Sequence, residues 1–309
     1  MSELIKQCDF GPRLEVAARS IAAARPKAVD ENQDNYLLID ANGSAVSAQD
    51  QKEVGAQVPG WPAGRVRLAV LDGVGGHGNG RQVAEAVTQG LIGIPACQTL
   101  ESLAGALEAL HYRIQVQYRD TKPRPGATLV LVEIPATGPA LLFSAGDSRL
   151  YRVTPEEAQW LTVDHVPATH YAMSGALGPD DWEQQVHGED RSEISQAFVL
   201  GNTFERSGQL LEGLYELSAE RLPEFLRHLP DRRVMELERD CIYLLATDGL
   251  WAFREPREWV RRWPKILCYP DTRLDYLLDD LFTELILSAA DEPSVDNATA
   301  IAFRLRGPA

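Results

Sequence analysis

Carboxylate side chains stand at the ends of several apolar, strand-like runs of this sequence. They are Asp34 before NYLLI, Asp72 after VRLAVL, Asp147 in the turn SAGDSR, Asp248 after CIYLLAT and Asp296 before ATAIAFRL. An ionised carboxylate at the end of a buried strand is unfavourable unless its charge is matched. Hard divalent cations bind such oxygens, so strand ends that converge predict a metal site. Asp72 and Asp248 are each followed by glycine, which lets the backbone approach closely and offer a carbonyl ligand.

Each aspartate taken alone has a simpler interpretation. Aspartate and glycine are turn residues, and Asp-Gly after a strand is typical of a turn. Two Asp-Gly strand ends, a GDSR turn and an Asp-Asn pair before the last strand are together hard to attribute to turns. The combination therefore favours a metal site over the turn interpretation.

Short β-type runs make up much of the chain and must position these acids. Seven runs are rich in Val, Ile, Leu or aromatic residues and are bounded by Gly, Pro, Asn or Asp: LEVAARSIAA, NYLLID, VRLAVLDG, ATLVLVEI, ALLFSAGDSRLYRV, CIYLLATDG and ATAIAFRL. Apolar residues at helical spacing predict helices over about residues 80–91, 100–118 and 273–289. Because strands follow one another while helices come in blocks, we predict an α+β fold of mainly antiparallel sheets covered by helices.

Two segments interrupt this pattern. Residues 42–64 are polar and separate two runs that would otherwise pair, so they are interpreted as an insertion. Residues 166–212 have no clear period and mix Gly, Pro, Asp and His, which is typical of a functional flap or lid. The sequence shows no linker or internal repeat, so we predict one domain over residues 1–309 that carries both segments.

The same motifs, in the same order, resemble those of the metal-dependent protein serine/threonine phosphatases of type 2C (PPM), especially the bacterial members. The matching segments are ENQDNY, LAVLDGVGGHGNG, GATLV, SAGDSRLYRV, LTVDHV, LLATDGLW and DNATAIAFRL. The resemblance extends over about residues 16–305, nearly the whole chain. It implies a four-layer αββα sandwich, in which two antiparallel sheets flanked by helices form a metal-binding cleft at one end.

The resemblance also implies a role for each aspartate. Asp72 would bridge two ions, Mn²⁺ or Mg²⁺, with the Gly73 carbonyl on one of them. Asp248 and Asp296 would complete the shell of the first ion, and Asp34 would contribute to the second. Asp147 together with Asp248 would hold a weaker third ion.

The reaction implied is hydrolysis of phosphoserine and phosphothreonine in proteins, opposing a serine/threonine kinase. A hydroxide bridging the two ions would attack phosphorus in line, and Asp72 and Asp248 would be the catalytic carboxylates. No covalent phospho-enzyme is needed in such a mechanism.

One departure from the family pattern concerns phosphate binding. Relatives place an arginine three residues before the asparagine of the first motif, where this chain has Val29. Arg25 and Lys27 lie nearby and are candidates for the phosphate-binding role, although both are equally typical of solvated surface charges. Without such a cation, phosphate binding should weaken. An alternative function is therefore a phosphatase-like module that captures phosphoprotein with little turnover.

Charge and composition exclude other classes. The chain has 309 residues, with 45 acidic against 30 basic ones, for a net charge of −15. This charge disfavours binding to nucleic acid and to anionic membranes. The four cysteines have no paired or metal-type spacing, and the start lacks a signal-peptide pattern. We therefore predict a cytoplasmic protein. The family resemblance implies that its partners are a phosphorylated protein and the serine/threonine kinase that modifies it.

Overall fold

Antiparallel strands form most of the framework. The structure, a computed structural model, describes residues 2–22, 31–74, 79–188, 194–202, 204, 213–252, 255–288 and 296–306. Within these ranges the strands are, in chain order, β1 (Leu14–Ile21), β2 (Asn35–Ile39), β3 (Ser44–Gln49), β4 (Lys52–Gln57), β5 (Val66–Leu71), β6 (Gly73–Val74), β7 (Gly126–Ala127), β8 (Leu129–Ile134), β9 (Ala140–Ala145), β10 (Arg149–Val153), β11 (Ala158–Trp160), β12 (Gln196–Ala197), β13 (Gly201–Asn202), β14 (Arg232–Met235), β15 (Ile242–Ala246) and β16 (Ala298–Leu305). Each of the seven runs predicted from the sequence contains at least one of these strands.

The strands form two large sheets. One has the order β1-β16-β15-β10-β11 and the other the order β14-β9-β8-β5-β2-β3-β4. Neighbouring strands in both sheets are antiparallel. The short pairs β6-β7 and β12-β13 stand apart from the large sheets. The prediction of antiparallel sheets is confirmed.

Helices surround the two sheets, and the longer ones cover the outer faces. In chain order they are α1 (Glu3–Gln7), α2 (Asn79–Ile92), α3 (Leu100–Gln117), α4 (Pro167–Met173), α5 (Pro179–His187), α6 (Asp248–Trp251), α7 (Pro256–Leu267) and α8 (Leu274–Ser288). The three predicted helices correspond to α2, α3 and α8. Helix α3 begins with a capping box. The Ser102 amide donates to the Thr99 hydroxyl, and the Thr99 amide donates to the Ser102 hydroxyl. No helix within the described ranges is long and apolar enough to cross a membrane.

The alternation of side chains along the strands creates the layers. Successive residues of a strand point to opposite faces. Thus Leu38 of β2 belongs to the core between the two sheets, with Phe303 of β16, whereas Leu37 packs in the core formed with α2 and α3. On the far side, Leu244 of β15 packs in a third core, under α7 and α8. The result is the predicted four-layer αββα sandwich.

The polar segment 42–64 is part of this framework. Its hairpin β3-β4 continues the seven-stranded sheet to an edge, and β2 still pairs directly with β5, with Leu37 opposite Ala69. The hairpin turns at Asp50 and Gln51, which both have positive φ. The strand β4 contributes no fully buried residue, because it is an edge strand, and this explains why its sequence is polar.

The flap is partly helical and has a small core of its own. Helices α4 and α5 lie within it, and Trp182, Leu217 and Leu226 are buried together there. These helices have only seven and nine residues, too few to produce a visible helical period. Residues 189–193, 203 and 205–212 of the flap lie outside the described residues.

A buried arginine joins the flap to the five-stranded sheet. Arg149, the first residue of β10, is 1% exposed, and its Nη2 donates to Asp164 Oδ2 at 2.6 Å and to the Val186 carbonyl at 2.8 Å. Its guanidinium carbon lies 3.3 Å from the ring centroid of Trp251 in α6. The bidentate ion pair and the cation–π contact satisfy a charge that would otherwise be unfavourable in the core.

We predict that Asp164→Ala destabilises the protein by about 3–5 kcal/mol, because it leaves the Arg149 charge buried without its partner. Urea unfolding measures the change. The control is Glu238→Ala, which removes the pair between Arg152 and Glu238, whose carboxylate is 58% exposed. Loss of such a surface pair should change stability by about 0–1 kcal/mol. Equal losses in the two variants would contradict the structural role given to Arg149.

Candidate functional site

The pairing of β2 with β5 brings two of the aspartates to one end of the seven-stranded sheet. Asn35 stands opposite Leu71, so Asp34 and Asp72 lie just beyond the paired residues on adjacent strands. The Gly73 amide donates to the Gln33 carbonyl at 3.2 Å, which continues the pairing past both acids.

The five-stranded sheet brings two more aspartates, Asp248 and Asp296, to its end in the same way. Ala246 of β15 stands opposite Ala300 of β16, and the Thr247 amide donates to the Thr299 carbonyl at 3.0 Å. Asp248 follows β15 directly and is the first residue of α6. Asp296 precedes β16 by one residue, Asn297.

Asp147 lies where the chain crosses between the sheets. It stands between β9, in the seven-stranded sheet, and β10, which pairs with β15 through Arg149 and Ala246. Thr128 connects this turn to Asp72: its hydroxyl accepts from the Asp72 amide at 2.9 Å and lies 2.6 Å from the Ser148 hydroxyl. The five aspartates are therefore located at one end of the sandwich.

Burial and mutual repulsion raise the proton affinity of the two most enclosed acids. Burial is the main cause that raises the pKa of Asp34 to about 7, and the charges of Asp248 and Asp296 add to it. The pKa of Asp72 lies well above its ordinary value, again mainly through burial, and then through Asp248, Asp34 and Asp147. Such mutual effects require that the five carboxylates lie near one another.

A hydroxyl network holds Asp34 in place. The Thr247 hydroxyl donates to Asp34 Oδ2 at 2.8 Å, and the Thr299 amide donates to the Thr247 hydroxyl at 2.9 Å. Asn32 accepts from the Asp34 amide at 3.1 Å and also donates to the Ser20 hydroxyl at 2.7 Å. Because these contacts fix one carboxylate oxygen, the other oxygen has a defined direction.

The chemistry of the site fits a divalent cation. Asp34 is 5% exposed, yet its Oδ1 is buried without a hydrogen-bond partner, which is unfavourable unless another group satisfies it. Asp72, Asp147 and Asp248 are half-buried, and Asp296 is exposed, so the cluster opens to solvent on one side. A cation bound there would offset the repulsion that raises the pKa of Asp34 and Asp72.

The aspartate side chains do not form a complete metal-binding site in their present conformations. Among the described residues, no three His, Cys, Asp or Glu side chains are gathered closely enough to hold one ion. The backbone thus places the acids, and binding would require their side chains to turn toward the ion.

Two glycines beside the acids allow backbones to meet. A Cβ on Gly73 would lie 2.4 Å from the carbonyl atoms of Gly80 in α2. A Cβ on Gly249 would lie 1.9 Å from the Asn297 oxygen, next to Asp296. Glycine is therefore required for close approach at both positions, and not for an unusual φ.

Sequence reasoning named the aspartates but assigned no role to the threonines that support them. Thr128, Thr247 and Thr299 stand inside the GATLV, ATDG and DNATA motifs, and that position was the available signal. Arg25, Lys27 and Val29, the positions considered for phosphate binding, lie outside the described residues. His165, in the LTVDHV motif, is buried, with Nε2 3.2 Å from Asp231 Oδ2.

Comparison with known proteins shows a clear likeness in fold and no detectable match in sequence. No protein-family model matches the chain, and no curated protein matches it significantly. Among solved structures, the Mycobacterium tuberculosis serine/threonine phosphatase PstP/Ppp is 22% identical, with a TM-score of 0.61, over 96% of this chain and 100% of that one. The S. agalactiae serine/threonine phosphatase is 17% identical, with a TM-score of 0.64, over 95% of this chain and 100% of that one.

A further solved structure bears on metal binding. The catalytic domain of PstP in complex with two manganese ions is 20% identical, with a TM-score of 0.58, over 96% of this chain and 99% of that one. At these identities the likeness establishes the fold, and the chemistry must be argued from the residues.

We predict that, for the metal-free protein in chelator, the free energy of unfolding depends less on pH in Asp34→Asn than in the wild type. A carboxyl whose pKa rises from 3.8 unfolded to about 7 folded stabilises the protein at low pH, and this contribution is lost as the pH rises through 7. The free energy of unfolding at pH 8 should therefore be higher in Asp34→Asn than in the wild type, and its fall from pH 5 to pH 8 smaller. Asp271→Asn, at an exposed loop position, is the control. An unchanged fall in Asp34→Asn would contradict the burial of this carboxyl.

We predict that Gly249→Ala costs about 1–3 kcal/mol of stability, because the new Cβ would overlap the Asn297 carbonyl. The matched variant is Gly105→Ala in α3, where a Cβ meets nothing within 4 Å. That variant should be stabilised by up to about 1 kcal/mol through helix propensity. Urea unfolding should show a lower free energy of unfolding for Gly249→Ala and a higher one for Gly105→Ala. An unchanged stability of Gly249→Ala would rule out the close approach.

Proposed function

We propose, from the premise that the chain has the fold of the bacterial PPM-type serine/threonine phosphatases, that it is a metal-dependent protein phosphatase. Its substrate would be phosphoserine or phosphothreonine in proteins. The observation that supports this most strongly is the convergence of Asp34, Asp72, Asp147, Asp248 and Asp296, from five separate motifs, at one end of the sandwich. Turn chemistry alone gives no reason for acids from both sheets to repel one another at the same place.

The proposed ligand set is the one that the family resemblance implies. Asp72, the Gly73 carbonyl, Asp248 and Asp296 would hold one divalent ion, and Asp72 with Asp34 a second. Asp147 with Asp248 would hold a weaker third. Manganese or magnesium suits carboxylate and carbonyl oxygens, and the manganese in the PstP structure agrees with this choice. Bound ions would supply an activated water for attack on phosphorus and would neutralise the charge of the phosphoryl group.

The chain's own residues prepare this chemistry. We assign the catalytic role to Asp72 and Asp248 because the family resemblance implies it. The Asp248 charge is also the largest carboxylate contribution to the raised pKa of both Asp34 and Asp72. Near neutral pH the buried Asp34 is partly protonated, and cation binding would release that proton, because the bound form of the ligand is ionised. The Thr247 hydroxyl orients Asp34 and favours its ionised form.

Substrate recognition is proposed on sequence grounds. Arg25 and Lys27 are the cations of the first motif region, and we propose that one of them binds the substrate phosphate. The partners would be a phosphorylated protein and the serine/threonine kinase that modifies it. The four cysteines are all free thiols, which is consistent with the proposed cytoplasmic location.

We predict that Asp72→Asn and Asp248→Ala each lower kcat/KM by at least about 100-fold, since each removes a charge on which transition-state stabilisation depends. The assay is hydrolysis of p-nitrophenyl phosphate and of a phosphothreonine peptide with Mn²⁺. Chelator should stop the wild-type reaction, and added Mn²⁺ should restore it.

The control is Asp271→Asn, which changes an exposed aspartate in the loop between α7 and α8, and it should retain wild-type activity. Wild-type turnover that is independent of metal would reject the proposed mechanism. If the wild type binds the phosphopeptide but hydrolyses it no faster than Asp248→Ala does, the chain is instead a phosphopeptide-binding module.

A further inference from the structure

The tip of the β3-β4 hairpin lies against the stretch of chain that carries Asp34. Backbone pairing between β2 and β3 ends at Leu37, opposite Ser47. From there toward the acids, two side-chain amides join the hairpin to residues 32–35 in place of backbone pairing. The hairpin belongs to the polar segment 42–64, for which the proposed phosphatase reaction has no use.

The first of these amides is the side chain of Asn35. It is 1% exposed, and its Oδ1 accepts from the Ala48 amide at 3.0 Å while its Nδ2 donates to the Ala48 carbonyl at 3.0 Å. A carboxamide has an acceptor and donors side by side, so it can bond to both main-chain groups of one residue. Asn35 therefore holds the chain directly after Asp34 against β3.

The second amide is the side chain of Gln51, at the tip of the hairpin. Its Oε1 accepts from the Asn32 amide at 2.9 Å, and its Nε2 donates to the Asn32 carbonyl at 2.9 Å. Gln51 has a φ of 62°, which suits the two-residue turn between the paired residues Gln49 and Lys52. The turn thus places this amide on Asn32, at the other end of the stretch that contains Asp34.

Asn32 connects this contact to Asp34. The Asp34 amide donates to Asn32 Oδ1 at 3.1 Å. On the opposite side of the same stretch, the Gly73 amide donates to the Gln33 carbonyl at 3.2 Å. The chain before Asp34 is therefore bonded on both sides, and Gln51 supplies the bonds on the hairpin side.

We infer that Gln51 is a positioning residue of the proposed metal site. By holding Asn32 it fixes the main chain that carries Asp34, and with it the direction of Asp34 Oδ1, the buried oxygen without a hydrogen-bond partner. The inference rests on the proposed function, in which Asp34 binds the second divalent ion. Removal of a residue that orients a metal ligand typically weakens metal binding about 10- to 100-fold. Because Gln51 is exposed, its loss should leave the global stability nearly unchanged.

Isothermal titration of the metal-free protein with Mn²⁺ tests this. We expect Gln51→Ala to weaken Mn²⁺ binding at least about tenfold, with a urea midpoint in chelator close to that of the wild type. The matched control is Gln49→Ala, which removes another exposed glutamine from the same hairpin, at the end of β3. It should bind Mn²⁺ as the wild type does.

Two further measurements separate positioning from the stability of the turn. In chelator, hydrogen exchange over residues 32–36 should be faster in Gln51→Ala than in the wild type, with exchange over β8 unchanged. Gln51→Gly keeps the turn, because glycine adopts a positive φ readily, but it loses both bonds to Asn32. We expect it to weaken Mn²⁺ binding as much as Gln51→Ala does.

The inference is overturned by wild-type Mn²⁺ affinity in Gln51→Ala or Gln51→Gly, by an equal loss of affinity in Gln49→Ala, or by unchanged exchange over residues 32–36. A wild type that binds no Mn²⁺ would reject the proposed metal site itself, and this role of Gln51 with it.

Discussion

Repulsion between buried carboxylates is the constraint on which this end of the molecule depends. Folding places Asp34 and Asp72 where water cannot fully solvate them and where other aspartates oppose their ionisation. A sequence optimised for stability alone would not place five such acids at one end of a sandwich. Their retention is understandable when a positive charge completes the site, since the same arrangement that destabilises the cluster by itself supplies affinity for a cation.

Neutral hydroxyl groups hold the chain around two of the acids, Asp72 and Asp34. Thr128 and Thr247 are neutral donors and acceptors, so they orient the chain around Asp72 and Asp34 while leaving the charges in place. Two buried ion pairs lie elsewhere in the fold: Arg149 is matched to Asp164, and Arg67 to Glu133. These pairs stabilise the interior and do not involve the five acids of the site.

Some of this organisation was predictable from local patterns. The strands were recognisable because successive residues such as Leu37 and Leu38 are both buried, on opposite faces, which requires a run of apolar side chains. The acids were recognisable because an ionised carboxylate beside such a run is unfavourable unless its charge is matched. The hairpin in segment 42–64 was not recognised as strand, because β4 lies at a sheet edge and has little apolar surface to bury. The short flap helices were missed because α4 and α5 complete only about two turns each.

Sequence order and motif spacing were enough to nominate five aspartates and to indicate a fold, since strand periodicity and turn chemistry are local properties. They could not show that Thr247 supports Asp34, because those residues are 213 positions apart and meet only when β15 and β2 lie in facing sheets. The bonds between Gln51 and Asn32 were hidden for the same reason, because they form only when the β3-β4 hairpin lies beside β2. Which polar atoms remain unpartnered, and which acids share one environment, are properties of packing, and packing is decided only when distant segments are brought together.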